Sequence, residues 1–316
     1  MLVISGNRLY DVSSPIHPRL ECTANTEIQL VDARTVAYTD TQAGGKTTVM
    51  WHDVVTGLNK QVGLLPHLPE GIKNWTADGK IEVYAGPIKP TNAGGLVPVH
   101  LFANGIDRVL LSIPTVDGGY ESRWSPYPIL EISPGHTYLA ISDSRYGIGF
   151  SGLHIFSIGD RRQLLAPAGG NGGTWLADDR FVWPSDATGA LVQWTPQGGV
   201  TSFRPDKWSL YGLTHSPDRQ WLAGTVESSG GEPDVLIFPA SGGVAVKRQL
   251  ASDPVFVSPT VVWYAGEKAC ADSDPCGADS TTGDGTVHAY DVITHTDTVL
   301  KFRAGEDPGG CCTVEY

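Results

Sequence analysis

The chain has 316 residues, which is enough for one large domain or two domains of ordinary size. It contains 38 glycines and 22 prolines, and no long stretch shows the apolar recurrence of an amphipathic helix, so the composition favours an all-β chain with many turns. The formal net charge of -12, without a cluster of Lys and Arg, argues against nucleic acid and anionic membrane surfaces as partners. No apolar run approaches the roughly 18 to 20 residues that a membrane-spanning helix needs, so we expect no direct insertion into a membrane.

The N-terminal stretch MLVISGNRLYDVSSPIHPRLEC predicts three strands. Its segment LYDV, residues 9–12, resembles the segment AYDV, residues 289–292, which suggests the same place in a repeat. Met1 leads into a strand without a basic region or a small-residue cleavage motif. We therefore expect either a cytosolic protein or one whose signal or anchor has been removed.

Six segments then follow, each with two short apolar strands joined by a turn that is rich in Asp, Gly or Pro. In chain order they read IQLVDARTVAYTD, NWTADGKIEVYAG, LEISPGHTYLAISD, TWLADDRFVWPS, LTHSPDRQWLAGT and VFVSPTVVWYAG. Behind each segment the pattern predicts a third strand with one aromatic residue and then a fourth strand; the aromatics are Trp51, Phe102, Phe156, Trp194, Phe238 and Tyr290. Four antiparallel strands that recur about every 45 residues predict a β-propeller, in which neighbouring blades bury each other's faces.

The six repeats cover roughly residues 26–302. We expect a single propeller domain over residues 1–316 with seven blades, in which the C-terminal CCTVEY supplies the innermost strand of a composite blade with the N-terminal strands. Closure of this kind leaves no open sheet edge. Six blades with loose ends are the alternative.

The segments SPGHTYLAISD, SPDRQWLAGT and TADGKIEVYAG resemble the repeat segments of TolB-like and WD40-like periplasmic propellers, and they are similar to those in the propeller domains of prolyl oligopeptidases. The resemblance implies a propeller fold. It implies little about activity, because propellers host binding and catalysis alike. No Gly-x-Ser-x-Gly nucleophile elbow of a hydrolase domain accompanies the repeats.

The longer links, among them residues 86–96 and 204–211, predict a loop-rich face. In a propeller blade, the links between second and third strands emerge on the same face as the links between blades, and rigidly held loops commonly carry function. Aromatic residues beside Arg and Asp suit recognition of a protein or a glycan. The candidate binding residues on these links are Tyr120, Arg123, Trp124, Tyr127, Arg145, Tyr146, Asp206, Lys207, Trp208 and Tyr211. Alternatively, these aromatics pack the loops onto the blades.

Three histidines, His100, His154 and His288, each stand two places before a third-strand aromatic. The shared position predicts packing or hydrogen bonding between strands rather than a common metal site. The carboxylates of Asp178 and Asp179 fall in a repeat turn, where we expect them to be solvated.

The stretch ACADSDPCGADSTTGDG, residues 269–285, is the longest predicted link between a second and a third strand. The spacing of Cys270 and Cys276 suits a disulfide and hence an oxidising compartment. We expect no cofactor, with calcium as the alternative, because Asp272, Asp274 and Asp279 partly match a calcium loop that here lacks its terminal glutamate. The pairing of the remaining cysteines, Cys22, Cys311 and Cys312, stays open.

The leading functional hypothesis is a non-enzymatic recognition propeller, extracytoplasmic or the ectodomain of an anchored protein, that binds a protein or glycan through its loop-rich face. A second hypothesis is a hydrolase or lyase acting on sugars or peptides, with Asp143, Arg145 or Asp206 as ionisable groups at the channel mouth. A third is a scaffold domain of a larger assembly. A cytoplasmic location is the alternative to the extracytoplasmic one.

Overall fold

The structure is a computed structural model, and for some strand residues it describes only the backbone. It describes residues 2–302 except for 6–7, 12, 15, 24–27, 31–33, 42–46, 66–72, 76–80, 87–88, 92–93, 104–105, 117–128, 143–152, 170–171, 186–187, 209, 228–230 and 270–280. Strands make up the regular structure of this part of the chain, and it contains no helix long and apolar enough to cross a membrane. Two compact units are present, residues 34–205 and residues 1–33 with 206–316.

The unit of residues 34–205 holds most strands of four antiparallel sheets. The sheet with the order β4-β5-β6-β7 has the strands β4 (Ile28–Leu30), β5 (Thr35–Thr41), β6 (Thr47–Asp53) and β7 (Leu58–Leu65). The next contains β8 (Lys73–Trp75), β9 (Ile81–Ala85), β10 (Lys89–Thr91), β11 (Gly94–Ala103) and β12 (Ile106–Val116). The third contains β13 (Ile129–Ile132), β14 (Tyr138–Ser142), β15 (Leu153–Ser157) and β16 (Gln163–Ala168), in that order. The fourth contains β17 (Thr174–Ala177), β18 (Arg180–Pro184), β19 (Ala190–Thr195) and β20 (Gly199–Lys207), in that order.

The unit of residues 1–33 and 206–316 holds three further sheets or parts of sheets. A three-stranded sheet has the order β1 (Leu2–Ser5), β2 (Arg8–Asp11) and β3 (Arg19–Thr23). A four-stranded sheet follows with β21 (Leu210–His215), β22 (Trp221–Glu227), β23 (Pro233–Pro239) and β24 (Val246–Gln249). The last sheet has β25 (Ala251–Phe256), β26 (Val261–Ala269), β27 (Thr281–Asp291) and β28 (Thr296–Val299). In all three, strands that are consecutive in the chain pair antiparallel.

The predicted all-β fold of four-stranded antiparallel blades is confirmed. Each of the six repeats contributes four strands at the predicted places, the second repeat adds the short strand β10, and the three N-terminal strands are also present. The predicted third-strand aromatics lie in β6, β11, β15, β19, β23 and β27; among those whose side chains are described, Trp51 is half-buried and Phe156, Trp194, Phe238 and Tyr290 are buried. CCTVEY lies outside the described residues, so the composite blade, the count of seven and the single domain stay predictions.

Some links are shorter than the sequence predicts. The short strand β10 pairs with the start of β11 inside the stretch from Gly86 to Leu96, which was expected to be a loop. The link expected between Arg204 and Tyr211 is mostly strand, because β20 continues to Lys207 and β21 begins at Leu210. In both places main-chain pairing continues past the apolar alternation on which the sequence prediction depends.

The first sheet packs against the last sheet through Tyr10. This residue of β2 is fully buried, and its ring meets the rings of Trp263 and Phe302 edge-on at centroid distances of 6.4 and 6.1 Å. Edge-to-face contact is a favourable geometry for aromatic rings. The N-terminal strands therefore lie beside the last repeat and present to it the tyrosine of their LYDV segment.

Within residues 34–205, neighbouring sheets bury each other's faces in the same way. The interface between the third and the fourth sheet combines large aromatic side chains on one side with small and branched ones on the other. Its members are Trp175, Phe181, Trp183 and Trp194 against Ala140, Leu153 and Ile155. Burial of about 25 cal/mol per Å² of apolar surface makes such faces the main source of stability.

Asp178 connects these same two sheets, and the expectation that it is merely solvated is wrong. Its carboxylate accepts hydrogen bonds from Ser133 Oγ at 2.5 Å, from the Gly135 amide at 2.8 Å and from Thr137 Oγ1 at 2.8 Å. A Cβ atom at position 135 would lie 2.6 Å from the Asp178 carboxyl carbon, so this approach requires glycine. Burial alone would raise the pKa of Asp178, but the hydrogen bonds from Ser133 and Thr137 outweigh it and lower the pKa.

We predict that Asp178→Asn lowers the free energy of unfolding by about 1–3 kcal/mol at pH 7, because an amide cannot accept bonds at both of its terminal atoms. Because the pKa of Asp178 is lower in the folded protein than its unfolded value of 3.8, the ionised carboxylate stabilises the fold at pH values above 3.8. This contribution is lost as the pH falls through the folded-state pKa. Urea unfolding followed by tryptophan fluorescence at pH 7 and at lower pH measures both effects. The control is Asp179→Asn at the exposed neighbour, and an equal loss in both variants would contradict the prediction.

Candidate functional site

Most of the predicted binding residues lie outside the described part of the chain. These are Tyr120, Arg123, Trp124, Tyr127, Arg145 and Tyr146, and the alternative catalytic residue Asp143 lies there as well. Asp206 and Lys207 are described only by their backbone, which belongs to the strand β20 rather than to a loop. Among the candidate binding residues, the structure therefore describes the side chains of Trp208 and Tyr211 only.

Trp208 links β20 to β21 and is half-buried. Its ring lies 5.3 Å from the ring of Phe238, which is fully buried in β23. Tyr211, also half-buried, follows in β21, and its neighbour Leu210 pairs with Val226 near the end of β22. Tyr211 and the backbone of Trp208 therefore lie at the end of this sheet where β22 connects to β23, whereas the Trp208 ring contacts Phe238, which pairs with Leu222 towards the other end.

The cysteine-rich stretch that was expected to form one long loop is partly strand. Ala269 ends β26 and pairs with Thr281 at the start of β27, so the connection comprises residues 270–280 only. These eleven positions lie outside the described residues, and with them the predicted disulfide of Cys270 and Cys276 and the predicted calcium ligands Asp272, Asp274 and Asp279. Both sites stay predictions. Among the residues that are described, no three His, Cys, Asp or Glu side chains gather as metal ligands would.

His100 is part of a hydrogen-bonded unit across three strands, as its repeat position predicts. It stacks on Tyr84 of β9 with 4.7 Å between ring centroids, and its Nδ1 lies 2.9 Å from Asp107 Oδ2 of β12. The Tyr84 hydroxyl donates to the other oxygen of Asp107 at 2.9 Å. Tyr84 and His100 are buried, so the carboxylate satisfies two polar groups that would otherwise lose their hydrogen bonds to water.

The last sheet repeats this unit with Tyr264, His288 and Asp297. The two rings stack at 5.0 Å, Tyr264 donates to Asp297 at 2.5 Å, and His288 Nδ1 lies 3.1 Å from the same carboxylate. Arg248 of β24 adds an ion pair to Asp297 and lies over the Tyr290 ring at 4.9 Å. Burial and the hydrogen bond to Asp297 raise the pKa of Tyr264 far above its ordinary value.

The third histidine, His154, has a glutamine where the other two have an aspartate. Gln163 Nε2 lies 3.0 Å from His154 Nδ1, and burial lowers the pKa of this histidine. In each of the three sheets the polar partner pairs with the residue two places after the histidine, which is Phe102, Phe156 or Tyr290. This register is a signal in the sequence that would have identified Asp107 and Asp297, which the sequence analysis missed.

A groove of about 560 Å³ lies between the first and the last sheet and was not predicted. The link from β2 to β3 forms one wall, and the turns β25–β26 and β27–β28 with the strand β28 form the other. Seven of its eleven described lining residues are Ser or Thr. Because Asp291 pairs with both Val261 and Thr296, these turns lie at the end of the sheet opposite the pair of Ala269 and Thr281. The alternating threonines of THTDT, residues 294–298, were the available signal.

The turns that line this groove are held by short polar contacts. Asp291 Oδ1 accepts the amides of Ile293 and Thr294 at 2.8 and 2.9 Å, and Ser258 Oγ accepts the amide of Val261 at 2.9 Å. Asp11 Oδ1 accepts the amide of Ser13 at 2.9 Å in the same manner. Aspartates that accept amides two and three residues ahead are typical of tight turns. The walls of the groove are therefore ordered before any ligand binds.

We predict that Asp297→Asn lowers the free energy of unfolding by about 1–3 kcal/mol, because Tyr264, His288 and Arg248 would compete for a neutral amide. Chemical unfolding followed by circular dichroism measures the loss. The control is Glu227→Gln at the exposed end of β22. If the two variants unfold at the same denaturant concentration, Asp297 does not have the stabilising role described here.

No protein-family model matches the chain, and no curated protein matches it. Among solved structures, a prolyl endopeptidase is similar with a TM-score of 0.58 and 14% identity over 94% of this chain and 46% of that chain, so this chain spans less than half of the enzyme. A periplasmic gluconolactonase from Pseudomonas aeruginosa gives a TM-score of 0.56 and 14% identity over 99% of this chain and 98% of that chain. TolB from Acinetobacter baumannii gives 0.48 and 16% identity over 93% and 75%. Identities this low inform on the fold alone, and the likeness to the prolyl endopeptidase and the gluconolactonase, with the four-stranded sheets, establishes that this chain folds as a β-propeller.

Proposed function

We propose that this propeller is an extracytoplasmic recognition module that binds a protein or a glycan through the loop end at which Trp208 and Tyr211 lie. The anchoring of Trp208 supports this proposal most directly. One part of its ring is held against the buried Phe238, while the side chain as a whole is only half-buried. An aromatic side chain that is ordered before binding loses little conformational entropy in a complex, which is why such residues often dominate binding energy.

The hydrogen bonding of the ionisable residues also supports recognition. His100 with Asp107 and His288 with Asp297 are bound to tyrosines across their own sheets. These groups stabilise the blades, and their polar atoms bind other side chains of this protein rather than a substrate. The predicted disulfide of Cys270 and Cys276 is the reason for proposing an extracytoplasmic location, since disulfides persist in oxidising compartments.

The proposal predicts that a partner is captured from the loop end only. Photo-cross-linking residues placed at Tyr127 and Tyr146 should capture it, whereas the same residue at Val200, which is exposed at the start of β20, should not. With the purified partner, Trp208→Ala should weaken binding by at least about tenfold, because an aromatic anchor is lost. The exposed Ser202→Ala is the matched control. Equal capture from Val200, or equal affinity of both variants, would refute the proposal.

Hydrolysis of a sugar lactone is the second candidate, favoured by a likeness to the periplasmic gluconolactonase that spans nearly all of both chains. Under this alternative, Asp143, Arg145 and Asp206 supply the ionisable groups, since acid and base groups must lie within reach of the reacting bond.

The two candidates differ in one direct measurement. The recognition proposal predicts no hydrolysis of glucono-δ-lactone above the buffer rate, measured by acid release at constant pH. A lactonase would show saturable turnover that Asp143→Asn or Asp206→Asn abolishes and that Asp179→Asn leaves unchanged. Such turnover would replace the recognition proposal with the enzymatic one.

A further inference from the structure

The groove between the first and the last sheet has the features of a second binding site, at the sheet end opposite the pair of Ala269 and Thr281. We propose that it binds a neutral saccharide of one to three sugar rings. The volume of about 560 Å³ falls within the usual range of roughly 300–1,000 Å³ for small-molecule sites. This inference does not depend on the function proposed for the loop end.

Free hydroxyl groups are the first argument for a saccharide. The side chains of Ser14, Thr260 and Thr298 line the groove and have no hydrogen-bond partner within the described part of the chain. Thr296 accepts a bond from Thr294 and keeps its own proton free to donate. A serine or threonine hydroxyl can donate one hydrogen bond and accept two, which matches the hydroxyl groups of a sugar.

The charge of the lining favours a neutral ligand. Asp291 is the only ionisable residue among the eleven that line the groove, and its Oδ1 is already bound to two backbone amides. None of the described lining residues is a Lys, Arg or His that could attract a phosphate, a sulfate or a uronic acid. A cation also finds too few carboxylate ligands here.

Apolar groups complete the match. Ile16, Val261 and Ala289 line the groove beside the hydroxyl groups, and the threonine methyl groups add to this surface. A pyranose ring has the same mixed character, with hydroxyl groups at its edge and C–H groups on its faces. Ile16 is 43% exposed, so binding would remove apolar surface from water.

The fold itself does not require these threonines. Thr296 pairs with Asp291, and the corresponding residue of β7 is Leu58, which pairs with Asp53. Two places later β7 has Lys60 where β28 has Thr298. In β12 the equivalent positions are Ile106 and Arg108. Asp107, which lies between them, pairs with Phe102 just as Asp297, which lies between the two threonines, pairs with Tyr290. Neither β7 nor β12 has threonine at either position, in contrast to β28, the strand that borders the groove.

The walls are preorganised, which lowers the entropic cost of binding. The aspartates Asp11 and Asp291 and the hydroxyl of Ser258 hold the three turns by bonds to backbone amides. Thr260 also accepts the Val292 amide through its carbonyl oxygen at 2.8 Å, which joins two of the turns. A ligand would therefore meet hydroxyl groups whose backbone is already in place.

The test uses the full chain and titration calorimetry with maltotriose, cellobiose, lactose and N,N′-diacetylchitobiose as neutral probes and digalacturonate as the anionic comparator. We expect saturable binding of at least one neutral probe and at least about tenfold weaker binding by the Thr260→Val/Thr298→Val variant, which keeps the side-chain shape but removes two hydroxyl groups. Thr201→Val, on the exposed part of β20, is the matched control and should bind as the unmodified protein does.

Several outcomes would overturn the inference: no saturable binding of any neutral probe, equal binding by both valine variants, or tighter binding of digalacturonate. The unfolding transition of each variant shows that a loss of binding is not a loss of fold. Trp208→Ala should bind the neutral probe with unchanged affinity. Failure at the groove is thereby distinguishable from failure at the loop end, where cross-linking provides the independent readout.

Discussion

The mutual burial of neighbouring sheet faces is the constraint on which the rest of this structure depends. A four-stranded sheet has two faces, and an all-β protein must cover each of them with another sheet. Trp175 and Trp183 therefore pack against small and branched residues such as Ala140, and Tyr10 covers Trp263. The buried third-strand aromatics Phe156, Trp194, Phe238 and Tyr290 meet this requirement, because a large side chain fills the space between sheets.

The same constraint explains why polar residues on these faces occur in complete sets. A histidine that faces a neighbouring sheet leaves water, so its ring nitrogen needs a partner inside the protein. Asp107 and Asp297 provide that partner and also accept the tyrosine hydroxyl of the second strand. The combination of Tyr, His and Asp resembles a catalytic constellation when only residue types are considered. Its burial and its repetition at equivalent positions identify it as a device that fixes the register of three strands.

The sequence predicts the fold almost completely and the candidate site only in part. Strand positions were predictable since alternation, turn residues and the recurrence of about 45 residues are local signals. The role of Asp178 was not, because its partner Ser133 lies 45 residues away and no local pattern records that approach. The ends of the links were misplaced for a similar reason: main-chain pairing extends β20 and β26 into sequences such as PDK and EKA that lack apolar alternation. The groove escaped prediction since its walls come from opposite ends of the chain.

The two ends of the sheets differ in how much the fold constrains them. At the end with the β27–β28 turn, an aspartate that accepts two amides recurs as Asp53 and Asp291, so the backbone there follows one rule in different sheets. Side chains at the adjacent positions are then free to vary without altering the turn, as Leu58 and Thr296 illustrate. A rigid turn with a variable neighbour is the arrangement in which a chemical function can be acquired at little cost to stability. The hydroxyl groups of β28 are of this kind, since they add no packing that the blade needs, and a polar ligand is the physical reason we find for their concentration in one groove.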